Sequence, residues 1–149
     1  MVSERGAVPG EAPVLLIARI ALAAIFLYSG FGKLTGLAGF STYLVNHGFP
    51  AGMTYALAIL AGLTELLGGL ALLVGWQARY AALALALFTL VAALIGHRFW
   101  EIADAGQRMG QLIHFWKNMA MVGGFLALYV AGAGPFSLDG RRHQEKRLR

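Results

Sequence analysis

The chain contains no cysteine, which excludes disulfides, thiolate metal sites and cysteine-ligated iron–sulfur clusters within it. Charge is nearly as scarce. Only 13% of the 149 residues are Asp, Glu, Lys or Arg, against roughly 25% in a soluble domain. Those charges gather mainly in three short stretches, 1–11, 98–108 and 139–149. The glycines lie inside apolar runs and form no phosphate-cradling loop, and no nucleophile–base constellation is present. His97 and His114 fall at one border and His47 in a loop, so no histidine pair is placed to ligate haem from opposed helices. No metal site is expected.

What is abundant is apolar sequence, 58% of the chain. It falls into four runs, about 14–33, 53–75, 79–97 and 113–134, each near the 17–25 residues a helix needs to cross roughly 30 Å of hydrocarbon. Alternation is missing and Ala and Leu dominate, so strands are a poor reading. The runs leave almost no polar face, which also excludes ordinary soluble helices. The expected fold is an all-α membrane bundle of four transmembrane helices over 13–135. A tail precedes it at 1–12, and a basic tail follows at 136–149. The first run closes at Lys33 without a small-residue cleavage site, which argues against a removed signal peptide.

Trp76 and Tyr80 sit around the second turn, and Phe99, Trp100, Phe115 and Trp116 flank the third; amphipathic rings favour the headgroup level. The short link from Trp76 to Arg79 forces an antiparallel hairpin. In the first loop Leu37, Phe40, Leu44 and His47 have helical spacing before the break at Gly48-Phe49-Pro50. A short interfacial helix and a flexible loop both fit that stretch.

Orientation follows from the basic residues. Arg5, Arg19, Arg79, Arg141, Arg142, Lys146, Arg147 and Arg149 fall on one side, and Lys33, Arg98, Arg108 and Lys117 on the other. The positive-inside rule then places both termini in the cytoplasm. The net charge of +5 is therefore a topology signal facing anionic lipid, and nucleic acid is not an expected partner.

Glu65 stands near the middle of the second run, where an acid costs roughly 2.5–3.5 kcal/mol to insert. Its helical neighbours Ala58, Ala61, Gly62, Gly68 and Gly69 form a small-residue face that admits another helix, so Glu65 points into the bundle. Counting depth along the helices gives Arg19 as its expected partner in an intramembrane ion pair. Arg19, Ala23, Phe26, Gly30 and Lys33 share one stripe of the first helix, spaced by 4, 3, 4 and 3 residues. Lys33, His97, Lys117 and Asn118 lie at one level near the outer border. They suit an outward-facing cavity for an oxyanion or a quinone carbonyl, although Lys33 and Lys117 also fit a reading in which they reach to the headgroups.

At these residues the chain resembles the DoxX family of small bacterial membrane proteins, over about Arg19 to Asp139. The resemblance rests on Arg19 followed by Ser29-Gly30-Phe31-Gly32-Lys33, then Gly48-Phe49-Pro50. Glu65 with Leu66-Leu67-Gly68-Gly69 comes next, and Gly75 before Arg79. The last pieces are His97-Arg98-Phe99, Phe115-Trp116-Lys117-Asn118-Met119-Ala120 and Gly123-Gly124. It implies a four-helix protein of the bacterial inner membrane. Some relatives are linked to quinone-coupled oxidation of sulfur compounds and others to complexes handling oxidative stress. By that analogy the chain is expected to be a non-haem membrane subunit of an oxidoreductase. It would have no covalently bound cofactor, a quinone as ligand, a soluble or membrane redox partner, and scope for self-association. The competing readings are a small proton-coupled transporter using Glu65 and a membrane scaffold without catalysis.

Overall fold

The computed structural model describes residues 10–147, so most of the N-terminal tail and the last two residues, with Arg5 and Arg149 of the charge count, lie outside the described residues. Within them the chain is helical: α1 Glu11–Thr35, α2 Leu37–Asn46, α3 Ala51–Val74, α4 Ala78–Gly96, a 3₁₀ turn at Phe99–Glu101, α5 Ala105–Ala131 and α6 Leu138–Arg147. No strand occurs among the described residues.

Local chemistry explains the boundaries. Pro50, extended at φ −60° and ψ 130°, starts α3 without needing an amide donor. Gly75 ends it in the left-handed region at φ +69°, with Trp76 N–H donating to the Ala71 carbonyl and Gly75 N–H to that of Leu72. This closure satisfies carbonyls that the helix leaves open. Asp104 caps α5 by accepting from Gln107 N–H, the usual remedy for a helix N-terminus. The first loop is resolved in favour of the helix: α2 packs on α3 through Leu44 and a 2.6 Å hydrogen bond between the Ser41 and Thr54 hydroxyls.

Large apolar side chains cover the outside of the bundle, among them Ile17, Tyr28, Leu60, Leu87 and Val130. So much exposed apolar surface is incompatible with water and suits acyl chains. Three helical segments are long and apolar enough to cross a membrane, Glu11–Thr35, Ala51–Val74 and Ala78–Glu101. The apolar runs of the sequence predict four. α5 has the length, 27 residues, but Arg108, His114, Lys117 and Asn118 make its first half polar.

α1 packs along α3 and α4 along α5. The α1–α3 contact is close because small residues meet: a Cβ added at Gly30 would lie 2.7 Å from the Leu66 amide nitrogen and 2.9 Å from the Gly62 carbonyl. The buried face of α1 is Arg19, Ala23, Phe26 and Gly30, the stripe given by its 4-3-4 spacing. Beside it lies the apolar core of Ala23, Phe26, Leu72, Ala82, Leu85, Ala86, Phe125 and Leu128.

Residues after α5 do not trail away as a free tail. The Asp139 carboxylate accepts from the backbone N–H groups of Gln77 and Ala78 at 3.0 and 2.9 Å, and Asp139 N–H donates to the Gly75 carbonyl. A carboxylate at the N-terminus of α4 satisfies open donors and complements the helix dipole. Arg79 in turn donates to the Tyr129 and Val130 carbonyls at the C-terminal end of α5. The segment thus closes one end of the bundle, beside the α3–α4 hairpin. Asp139→Ala is expected to lower stability by about 1 kcal/mol, read as a lower thermal midpoint in detergent, with Asp139→Asn recovering part of it.

Candidate functional site

Glu65 and Lys33 meet inside the bundle. Lys33 Nζ lies 2.7 Å from Glu65 Oε2, and the ammonium also donates to Ser29 Oγ at 2.6 Å. Ser29 Oγ donates to Glu65 Oε1 at 3.3 Å. The two side chains are 17% and 7% exposed, so the pair is largely removed from solvent. Its attraction must offset the desolvation of both charges, and the Ser29 hydroxyl contributes one of the extra hydrogen bonds that make this workable.

This corrects the Arg19–Glu65 pairing expected from depth. Every Cα–Cβ bond in a helix tilts toward that helix's N-terminus. α1 and α3 are antiparallel, with Gly30 beside Gly62 and Ala23 beside Gly69. Lys33 therefore leans inward and Glu65 leans toward it. Arg19 leans the other way, to the hairpin end. There it is 1% exposed, donates from Nη2 to the Phe136 carbonyl at 2.6 Å, and fills the space a side chain at Gly75 would need. Among the described residues its Nε and Nη1 have no hydrogen-bond partner. Arg19 anchors the segment that follows α5 and takes no part in the Lys33–Glu65 pair.

A cavity of about 590 Å³ opens beside that pair, between α1, α2, α3, α4 and α5. Its wall is mostly apolar, with Phe40, Phe88 and Ile95 among the contributors, and its polar groups are Ser29, Lys33, Tyr43, Thr64, Glu65, Thr89, His97 and Asn118. Leu60 and Val91 line it and are also exposed on the bundle surface, so it has a lateral edge toward lipid. Lys33 Nζ stands 5.0 Å from the centre of the Phe40 ring, a cation–π contact that helps hold the ammonium in place.

Of the four residues expected to converge near the outer border, three line this cavity: Lys33, His97 and Asn118. Lys117 does not, and it is exposed. Consecutive helical residues point about 100° apart, so with Asn118 facing inward Lys117 must face elsewhere. His97 Nδ1 is 2.8 Å from Gln111 Oε1, and its ring stacks on that of His114 with centroids 5.3 Å apart. Among the described residues no group of His, Cys, Asp and Glu is placed to hold a metal ion.

Sequence reasoning missed Ser29, Thr89 and Tyr43. Ser29 is one helical turn before Lys33, a spacing that would have revealed it. Tyr43 depended on α2 being helical. Its ring stacks between Phe40 and His47, and its hydroxyl lies where a side chain on Gly96 would be. Burial pushes the Tyr43 phenol above its usual pKa, with the Arg98 guanidinium pulling the other way. At neutral pH it is a neutral hydroxyl.

A buried lysine–glutamate pair with this glycine register on antiparallel helices coincides with a family match: the DoxX model covers residues 14–98. The chain belongs to the DoxX family. Among curated proteins, this DoxX protein is 38% identical to the inner membrane protein YphA of Escherichia coli (strain K12) over 129 residues, 86% of this chain and 89% of the relative. It is likewise 38% identical to the inner membrane protein YqjF of the same organism over 125 residues, 84% of this chain and 88% of the relative. No solved structure matches it. The matched region takes in most of α1 and all of α2 to α4, with Lys33, Glu65 and His97; Asn118 falls beyond it.

Proposed function

We propose that this DoxX protein is an inner-membrane protein of four spans, with both termini cytoplasmic, that serves as the membrane subunit of a quinone-linked oxidoreductase. The fourth span is α5: at 1.5 Å per residue its 27 residues reach about 40 Å, and it packs along α4. The basic residues set the orientation, and the two relatives named above are inner membrane proteins.

The observation that carries the ligand class is the cavity. Its volume falls within the roughly 300–1,000 Å³ of small-molecule sites. Its wall suits an isoprenoid or ring body, its lateral edge admits a molecule from lipid, and Lys33 and Asn118 offer donors for carbonyl oxygens. His97, whose Nδ1 is turned to Gln111 Oε1, offers its other ring nitrogen as an acceptor for a hydroxylated form. Glu65 beside Lys33 adds an acceptor for a reduced, hydroxylated form of the same molecule. With no cysteine, the electrons come from a redox partner that docks on the protein.

The test is gentle purification followed by identification of extracted quinone and co-purifying proteins, and titration of a short-chain ubiquinone into the purified protein. Lys33→Ala and Asn118→Ala are expected to weaken binding by about tenfold or more, the size of one or two lost hydrogen bonds. Lys117→Ala leaves it unchanged. No extracted quinone together with no saturable binding contradicts the proposal.

One observation favours a second reading, a proton-coupled transporter. The counter-charge of Glu65 is a lysine, which gives up its proton far more readily than an arginine does. That reading requires substrate-dependent proton movement that Glu65→Gln abolishes.

A further inference from the structure

The cavity and the apolar core divide the bundle into two unlike halves. From Glu65 toward the end bearing α2 and the 3₁₀ turn, the interior is open: Ser29, Ala61, Thr89, Ala92 and Asn118 all border empty space. From Glu65 toward the hairpin end, the next layer of the interior is filled. Ala23, Leu72, Ala82, Leu85 and Phe125 are fully buried there, Leu85 packs into Gly68 and Leu27 against Gly69. Behind that layer stands the fixed charge of Arg19, closed over by the segment Phe136–Asp139.

A second, polar cavity of about 540 Å³ lies on the α2 end, lined by His47, Arg98, Glu101 and Gln111 among others. The two cavities share Gly96. They are also bridged by the His97–Gln111 hydrogen bond, since His97 borders the inner cavity and Gln111 the outer. A chain of polar groups therefore leads from the α2 surface to Lys33 and Glu65. The hairpin end has a cavity of its own, about 430 Å³ and lined by Gln77, Arg79 and Asp139 among others, but among the described residues it shares none with the inner cavity.

We infer that the Lys33–Glu65 pair exchanges water and protons with the α2 end alone, through a passage whose inner mouth is marked by His97, while the core seals it from the hairpin end. Besides the pair itself, His97 and Tyr43 are the titratable groups bordering the inner cavity, so they are the side chains placed to relay a proton along the passage. Crossing the other half means moving a charge through a close-packed apolar layer toward a buried guanidinium, which both desolvation and repulsion oppose. This sidedness depends on the cavity and not on what fills it, so it stands or falls separately from the quinone reading.

The natural absence of cysteine makes the test direct. Single substitutions Ser29→Cys and Thr89→Cys place a thiol in the cavity, and Ala82→Cys places one in the seal. Glu101→Cys and Gln144→Cys report the two ends. Each variant, in right-side-out and in inside-out membrane vesicles, is treated with a charged, membrane-impermeant methanethiosulfonate and then unfolded to count remaining thiols. The cavity thiols are expected to label from the side that labels Glu101→Cys, with loss of reactivity from the side that labels Gln144→Cys. Ala82→Cys stays unlabelled from both. Cavity thiols that label equally from both sides overturn the inference. So do cavity thiols that label from neither side while still reacting after unfolding.

Discussion

Lys33→Met destabilises the protein by about 3–5 kcal/mol, and so does Glu65→Leu, because either change leaves one buried charge without its partner. The expected result of the double replacement is the opposite. Lys33→Met with Glu65→Leu recovers most of the loss, since a buried ion pair exchanged for apolar groups of similar size is often neutral or better. The measurement is reversible unfolding in mixed micelles for the four proteins of the cycle, giving the coupling between the two sites. An exposed pair would show single losses below about 1 kcal/mol and little coupling. The 7% and 17% exposure of the two side chains decides for the larger effect.

The second large effect belongs to Gly30. Its missing side chain lets α1 and α3 touch backbone to backbone, and the atoms that a Cβ would meet, the Leu66 amide nitrogen at 2.7 Å and the Gly62 carbonyl at 2.9 Å, cannot swing aside. Gly30→Leu is expected to cost about 3 kcal/mol or more and to separate Lys33 from Glu65 as the helices part. Gly32 is the matched control. It is in the same helix, one turn from the same border, yet a Cβ there meets nothing within 4 Å, so Gly32→Leu should change stability by no more than about 0.5 kcal/mol. Thermal unfolding of both variants in one detergent separates a packing effect from a general intolerance of leucine.

Much of the bundle was legible because lipid imposes simple rules. Apolar length announced the helices, and the 4-3-4 spacing of Arg19, Ala23, Phe26 and Gly30 announced the face that is buried. The small residues around Glu65 announced that an acid at membrane depth would face another helix. Depth along Cα positions alone points to the wrong partner. In antiparallel helices the tilt of the side chains adds several ångströms in one direction and removes them in the other, which favours Lys33 over Arg19. Lys117 was grouped with Asn118 by level, although neighbours in a helix cannot share a face. The role of the C-terminal segment was not legible at all. Arg19 is held by a backbone carbonyl 117 residues away, and Asp139 caps a helix that begins 61 residues before it. Backbone carbonyls carry no sequence signature, and the capping rule points to local residues.

The pairing of Lys33 with Glu65 is the centre of the site, and solid-state NMR in bilayers reads it directly. The chain has only three lysines, Lys33, Lys117 and Lys146, so labelling lysine Nζ with ¹⁵N and glutamate Cδ with ¹³C leaves few signals to resolve. A nitrogen–carbon dipolar coupling between Lys33 and Glu65 is expected, of the size set by a 2.7 Å contact between Nζ and Oε2. It should vanish in Lys33→Met and survive in Arg19→Met. A spectrum without that coupling, or one whose coupling persists when Lys33 is replaced, would contradict the account.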